Sequence, residues 1–109
     1  MNELEENGGF PATCETLTDL SGTPTLKLSG ELDLGSVAPI RAAIDALLSK
    51  RPSRVVIDLS ELRFMDSSGL TLLLAVADQV PEVELRDPSA MIRKLIDLTG
   101  LSRLFVINP

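Results

Sequence analysis

The chain has 109 residues, of which 44% are hydrophobic and only three are aromatic, so it is long enough for one globular domain with an aliphatic core. Ten basic and sixteen acidic residues give a net charge of −6, and no cluster of Lys or Arg appears, which disfavours nucleic-acid binding. The chain contains no histidine and a single cysteine, which excludes a Ser-His-Asp triad, an internal disulfide and a cysteine zinc cluster. We therefore expect no catalytic residues, metal or cofactor.

The beginning of the chain is acidic and contains no apolar core of the kind found in secretory signals. No apolar run approaches the roughly 18 residues that a membrane span requires. These features predict a soluble, cytoplasmic protein with no membrane partner.

Two strands are predicted near the start of the chain. Residues 1–12 contain Glu, Asn, two glycines and a proline and are expected to be a flexible segment, which places the domain at 13–109. Residues 14–20 have a weakly alternating pattern typical of an edge strand, and 25–29 alternate clearly between apolar and polar side chains. Because residues 21–24 (Ser-Gly-Thr-Pro) read as a short turn, the two strands are expected to form an antiparallel hairpin.

A first helix is predicted after Ser36, which is a plausible N-cap, and it ends before the Arg-Pro-Ser sequence at 51–53. Its apolar side chains share one face at helical spacing: Val37, Ile40, Ile44, Leu47 and Leu48. The β-branched run that follows predicts a buried strand over 54–60.

The most informative stretch is the Asp-Ser-Ser-Gly sequence at 66–69, between this strand and a second helix predicted over about 67–79. The apolar stripe of that helix is predicted to be Leu70, Leu73, Leu74 and Ala77. Free backbone N–H groups and the helix dipole favour negative charge at such a helix N-terminus. A phosphate added to one of these hydroxyls would be accommodated, so the pattern raises the hypothesis of a phosphorylation switch.

Ordinary helix capping also explains a serine at this position. However, one cap needs one side chain, whereas Asp66, Ser67 and Ser68 each offer an oxygen and Gly69 has no side chain to shield them. The second helix also offers Leu72 and Val76 as an apolar docking patch, although a helix that is apolar on all sides is more often buried.

The last third of the chain predicts a short strand at 83–85, a third helix and a final strand at 104–107. Asp87 is expected to cap the third helix, with Pro88 as its first residue and Gly100 just past its end. The order β-β-α-β-α-β-α-β predicts an α/β fold with a mixed, mostly parallel sheet of four to five strands and about three to four helices.

This order and four short motifs resemble the STAS domain, the family of anti-sigma factor antagonists, also called anti-anti-sigma factors. The motifs are Val-Ile-Asp-Leu-Ser at 56–60, Phe-Met-Asp-Ser-Ser-Gly-Leu at 64–70, Gly-Glu-Leu-Asp at 30–33 and Leu-Thr-Gly-Leu at 98–101. The resemblance covers about residues 13–108. It implies a bacterial regulator that binds an anti-sigma factor serine kinase and thereby frees a sigma factor. It further implies that the ATP-bound kinase phosphorylates a serine at the start of the second helix, which ends binding until a phosphatase reverses it.

Carried over by motif position, the phosphorylated serine is Ser67, with Ser68 as second choice. The partner-binding residues that the resemblance implies are Asp33, Asp66, Ser67, Ser68 and Gly69. Asp33 is equally consistent with a solvated loop acid or a helix cap.

Two other functions remain open at this stage. The same fold could be a scaffold that is never phosphorylated, in a stress-signalling or lipid-transport complex, but a scaffold needs no pair of hydroxyls. An enzyme or a phosphoacceptor receiver domain is less consistent with the sequence. A receiver requires an acidic pair after its first strand and a lysine at the end of a late strand, and neither is suitably placed.

Overall fold

A computed structural model describes residues 10–109, which form a five-stranded sheet and three α-helices. The elements are β1 (Thr13–Thr18), β2 (Pro24–Leu32), α1 (Val37–Leu48), β3 (Arg54–Met65), α2 (Ser67–Gln79), β4 (Glu82–Arg86), α3 (Ala90–Leu98) and β5 (Val106–Asn108). The strands lie side by side in chain order; β1 is antiparallel to β2 and the other pairs are parallel. The predicted fold class and element order are confirmed.

The helices cover one face of the sheet. Because the parallel strands follow one another in a single direction and crossovers are right-handed, all three helices are expected on the same side. The burial pattern agrees, since alternate strand residues such as Ile57 and Leu85 are fully buried in one cluster with Ile44, Leu73 and Ile92 of the helices. Within the described residues, no helix is long and apolar enough to cross a membrane.

The opposite face of the sheet carries a row of mostly charged side chains. One row of neighbouring residues crosses all five strands and alternates in charge until its last member: Glu15, Lys27, Asp58, Arg86 and Asn108. Partial burial raises the pKa of Asp58, but hydrogen bonds from Ser60 and the charges of Lys27 and Arg86 outweigh it and leave that pKa lowered. Ion pairs also join neighbouring strands here, Lys27 of β2 to Glu61 of β3 and Arg54 of β3 to Glu82 of β4.

Glu84, on the same face, is the most buried charged residue described, at 5% exposure. Its carboxylate accepts hydrogen bonds from Arg54, from Arg86 at 3.2 Å and from Asn108 at 3.4 Å. Burial raises its pKa, but the bonds from Arg86 and Asn108 and the charges of Arg86 and Arg54 dominate and leave the pKa lowered. The ionised carboxylate therefore stabilises β3, β4 and β5 against one another.

Glu84→Gln is expected to reduce the free energy of unfolding of the domain and also to reduce how strongly that free energy depends on pH in the acid range. A carboxylate whose pKa is lowered by folding adds stability above its unfolded-state pKa, and that stability is lost progressively as the pH falls below about 5. The substitution should cost about 1.5–3 kcal/mol at neutral pH, the range for hydrogen bonds to a charged group, and less at pH 3. Urea unfolding at both pH values measures this. The matched control is Glu82→Gln, because Glu82 pairs with the same Arg54 but is half exposed, and its loss should be smaller. Equal losses for Glu84→Gln at both pH values would contradict the prediction.

Strand β3 is longer than predicted, since it extends to Met65 rather than ending at 60. Its pairing with β2 shifts register twice, between Lys27 and Ser29 and between Gly30 and Glu31. These irregularities interrupt the alternation of buried and exposed residues, because each inserts an extra residue on one strand. The β-branched apolar run that predicted 54–60 does not continue into the second half of the strand, where buried and exposed residues also follow no period of two.

The start of α3 also differs from the prediction. Ser89 is the N-cap and accepts a hydrogen bond from the Ile92 N–H at 3.2 Å, so Pro88 lies outside the helix. Asp87 has a left-handed backbone (φ 53°), and its N–H donates to Asn108 at the end of β5 at 2.8 Å. It therefore terminates a strand and cannot cap the helix. The final strand begins at Val106, two residues later than predicted, because a 3-10 turn occupies Ser102–Leu104.

Gly100 ends α3 as predicted. It has φ 75°, and the N–H groups of Gly100 and Leu101 donate to Asp97 at 3.1 Å and to Ile96 at 3.3 Å. This is the Schellman arrangement, which favours glycine.

Residues 10–12 are anchored to the domain. The Glu31 N–H donates to the Phe10 carbonyl at 2.9 Å, Pro11 forms a bridge with Glu31, and Ala12 is in the core at 7% exposure. The backbone of residues 10–11 approaches β2 so closely that position 30 must be a glycine (φ 87°), because a Cβ there would lie 2.6 Å from the Pro11 carbonyl oxygen. The predicted flexible segment therefore does not extend to residue 12. Residues 1–9 lie outside the described part of the chain, and a domain boundary within them stays a prediction.

Candidate functional site

The carboxyl ends of β2 and β3 bring the motifs at 30–33 and 64–70 to one edge of the sheet. Leu32 and Met65 are the last paired residues of these strands, and the Asp66 N–H donates to the Leu32 carbonyl at 3.2 Å. Asp33 and Asp66 follow directly, so the loop before α1 and the turn before α2 start side by side.

Asp66 is the N-cap of α2. Its backbone is extended (φ −106°, ψ −166°), and its Oδ1 accepts a hydrogen bond from the Ser68 N–H at 2.8 Å. Its carbonyl oxygen accepts from the N–H groups of Gly69 at 3.0 Å and Leu70 at 3.3 Å. The expectation that these amides are unpaired is therefore wrong at three positions. The helix dipole still favours an anion here, and because Asp66 supplies the cap, neither serine hydroxyl is needed for it.

The two serines differ in accessibility. Ser67 is the first residue of α2 and its side chain is exposed, whereas Ser68 is half-buried. The carbonyl of Ser67 accepts a hydrogen bond from the Thr71 hydroxyl at 3.0 Å, which holds the first turn in place. An incoming reactant would therefore reach the Ser67 hydroxyl more readily than that of Ser68.

Gly69 is buried beneath the turn. A Cβ at this position would overlap the Met65 side chain, with the sulfur at 2.7 Å, and would lie 3.1 Å from Leu32. The glycine therefore allows α2 to begin directly on the ends of β2 and β3. The expected partner contact of Gly69 is not consistent with this position, because Gly69 faces the core.

Asp33 is held within its own loop. Its Oδ1 accepts hydrogen bonds from the N–H groups of Gly35 at 3.0 Å and Ser36 at 3.1 Å. Ser36 is the N-cap residue of α1, yet its hydroxyl makes no capping bond and instead donates to the Glu31 carbonyl at 2.8 Å. Ser36 therefore occupies the predicted N-cap position without capping through its side chain, and the Asp33 carboxylate binds the amides that lead into the helix.

The apolar surface near the turn is not the one proposed from the sequence. Leu72 and Val76 are each 1% exposed and belong to the core, so they form no docking patch. Leu74, which was predicted to be buried, is 38% exposed, and Leu34 in the Asp33 loop is 78% exposed. Leu34 belongs to none of the predicted apolar stripes; its signal in the sequence is an apolar side chain between an Asp and a Gly in a short polar loop.

The chemistry available at this edge is that of an acceptor. Ser67 offers a hydroxyl, but the nearest carboxylate in sequence, Asp66, is engaged in capping, and the chain has no histidine to act as a base. Among residues 10–109, no three acidic or cysteine side chains are grouped to hold a metal ion. This edge therefore presents an exposed hydroxyl at the capped N-terminus of α2.

Comparisons with known proteins point to one family. A family model described as "Mlab, STAS domain" matches residues 16–107. The anti-sigma-F factor antagonist RsfB of Mycobacterium tuberculosis is 33% identical over 95 residues, which cover 83% of this chain and 76% of RsfB.

Solved structures of antagonists share the fold. An anti-sigma factor antagonist from Mycobacterium paratuberculosis superposes with a TM-score of 0.75 at 34% identity, covering 90% of this chain and 86% of that one. The anti-sigma factor antagonist SpoIIAA in its unphosphorylated form gives a TM-score of 0.75 at 26% identity, covering 89% of both chains. Its phosphorylated form gives 0.69 at 27% identity, covering 89% of this chain and 92% of that one.

Proposed function

Because the chain belongs to the STAS domain family, we propose that it is an anti-sigma factor antagonist that binds an anti-sigma factor serine kinase. Binding releases the sigma factor from the kinase. Phosphorylation of Ser67 by the ATP-bound kinase then ends the binding between this protein and the kinase. The observation that carries this proposal is the exposed Ser67 hydroxyl at the first position of α2, left over after Asp66 has capped the helix. Relatives named as antagonists and a structure of SpoIIAA in a phosphorylated form support it.

The physics of the turn is consistent with a local switch. A phosphoserine carries roughly −1.5 to −2 charge near neutral pH. At a helix N-terminus such charge gains about 0.3–1 kcal/mol, so the domain stays folded. A partner carboxylate ~4 Å away would repel each unit of charge by about 4 kcal/mol at an effective dielectric of about 20. Even part of this repulsion energy would weaken binding tenfold to a hundredfold, because each loss of about 1.4 kcal/mol raises the dissociation constant tenfold.

The accessibility of the serines favours Ser67 over Ser68. A kinase must bring the γ-phosphorus of ATP within reach of the hydroxyl, and Ser67 is exposed while Ser68 is half-buried with its N–H bound to Asp66. A phosphoserine phosphatase would then restore the active form. The acidic side chains of Asp33 and Asp66 at this edge would oppose nucleic acid.

The decisive experiment incubates the protein with candidate anti-sigma factor kinases and ATP and locates the phosphate by mass spectrometry. We expect one phosphate on Ser67, absent from Ser67→Ala and retained in Ser68→Ala, which is the matched control. A cognate anti-sigma factor that binds tightly and modifies neither serine would contradict the switch and favour an unphosphorylated scaffold subunit.

A further inference from the structure

We infer that Asp33 is a positioning residue: it fixes the loop before α1 so that Leu34, rather than the Asp33 carboxylate, contacts the anti-sigma factor. This inference rests on the proposed function and identifies part of the surface that the partner would bind. Sequence resemblance alone assigned the contact to Asp33.

The hydrogen bonds of Asp33 point into the loop. All those found for its carboxylate within the described residues end on Oδ1, which accepts from the N–H groups of Gly35 at 3.0 Å and Ser36 at 3.1 Å and lies 3.2 Å from the Ser36 hydroxyl. The Ser36 N–H also lies 3.0 Å from the Asp33 carbonyl. One oxygen thus closes a tight turn around Leu34, as Asp commonly does when it binds amides two or three residues ahead.

Ser36 closes the same loop from beneath. Its side chain is 6% exposed, and its hydroxyl donates to the Glu31 carbonyl at 2.8 Å while accepting from the Asp33 N–H at 3.2 Å. Asp33 and Ser36 therefore hold the loop at both ends. We call this pair of residues the Asp33–Ser36 clasp. Because Ser36 is buried, it cannot touch a partner directly.

Leu34 is the side chain that the clasp presents. It is 78% exposed, and the loop that carries it begins beside the turn that carries Ser67, since Leu32 and Asp66 share a hydrogen bond of 3.2 Å. Leu34 and Ser67 thus follow neighbouring strands at the same edge of the sheet, which puts Leu34 near the surface proposed to bind the kinase. An exposed leucine on a rigid loop fits an apolar depression in that partner, because little conformational entropy is lost when a pre-ordered loop binds.

The experiment compares Asp33→Asn with Asp33→Ala in binding to the cognate anti-sigma factor. Asn keeps an acceptor oxygen for the two amides but has no charge. We expect Asp33→Asn to bind within about threefold of the wild type, and Asp33→Ala, Ser36→Ala and Leu34→Ala each to bind about tenfold more weakly, a loss equivalent to about 1.4 kcal/mol. Leu20→Ala is the matched control, because Leu20 is also an exposed leucine but lies in the β1–β2 turn. It should bind like the wild type.

Hydrogen exchange without the partner tests the clasp separately. The Gly35 and Ser36 amides should exchange faster in Asp33→Ala and at the wild-type rate in Asp33→Asn, while thermal unfolding confirms that each variant is folded. Equal weakening by Asn and Ala would overturn the inference in favour of a charge contact, as would normal binding by Leu34→Ala. If the wild type bound no anti-sigma factor, the proposed function would fail and the role of Leu34 with it, while the exchange rates would still decide whether Asp33 orders the loop.

Discussion

Replacing Ser67 with Asp is expected to weaken binding to the anti-sigma factor about tenfold to a hundredfold, a loss of about 1.4–2.7 kcal/mol. Ser67 is exposed at the start of α2, so an added carboxylate would project from the surface proposed to contact the partner. The domain itself should tolerate the charge, because a helix N-terminus favours an anion. Titration calorimetry with the cognate anti-sigma factor measures the effect, and thermal unfolding shows that stability is unchanged.

The control for charge is Ser67→Asn, which adds nearly the same volume without a charge and should bind close to the wild type. Raising the salt concentration should narrow the difference between the Asp and Asn variants, because the Debye length falls from about 10 Å at 0.1 M to about 3 Å at 1 M. Equal binding by the two variants would show that charge does not release the partner.

The sequence could place the helix that carries Ser67 but could not assign its cap. The helix over 67–79 was predicted with both boundaries correct, since an apolar stripe follows directly on a turn sequence. Asp and Ser have similar capping strengths, so composition could not tell which of three neighbouring oxygens performs the task. The choice of Asp66 depends on its extended backbone and on its N–H bond to Leu32, which is a contact between strands distant in sequence.

The buried face of α2 was predicted only in part for a related reason. The segment is apolar on nearly every side, so helical spacing did not select between Leu74 and the true core residues Leu72 and Val76. Gly69 lies on the buried face, where the absence of a side chain allows close contact with Met65. A glycine that permits close packing looks the same in a sequence as a glycine in a turn.

Replacing Gly69 with Val is expected to cost about 3 kcal/mol, near the upper end of the range for overpacking a core. At roughly 4–5 °C per kcal/mol, the midpoint of thermal unfolding should fall by roughly 10–15 °C. The reason is steric, because the Cβ would overlap the Met65 side chain and lie 3.1 Å from Leu32. Relief of this overlap would move the start of α2, so binding through Ser67 should weaken as well. Denaturant unfolding and partner titration measure the two effects.

A double-mutant cycle with Gly69→Ala and Met65→Ala identifies the overlap as the cause. Met65 is 2% exposed, so its truncation alone should destabilise the domain by about 2–5 kcal/mol. Truncation also removes the Cγ and sulfur that the new Cβ would meet. The double variant should therefore be less destabilised than the sum of the two single variants, by about 1–2 kcal/mol. Additive losses would show that Gly69 is required for a reason other than its contact with Met65, and the close start of α2 on β3 would then not explain how the Ser67 turn is positioned.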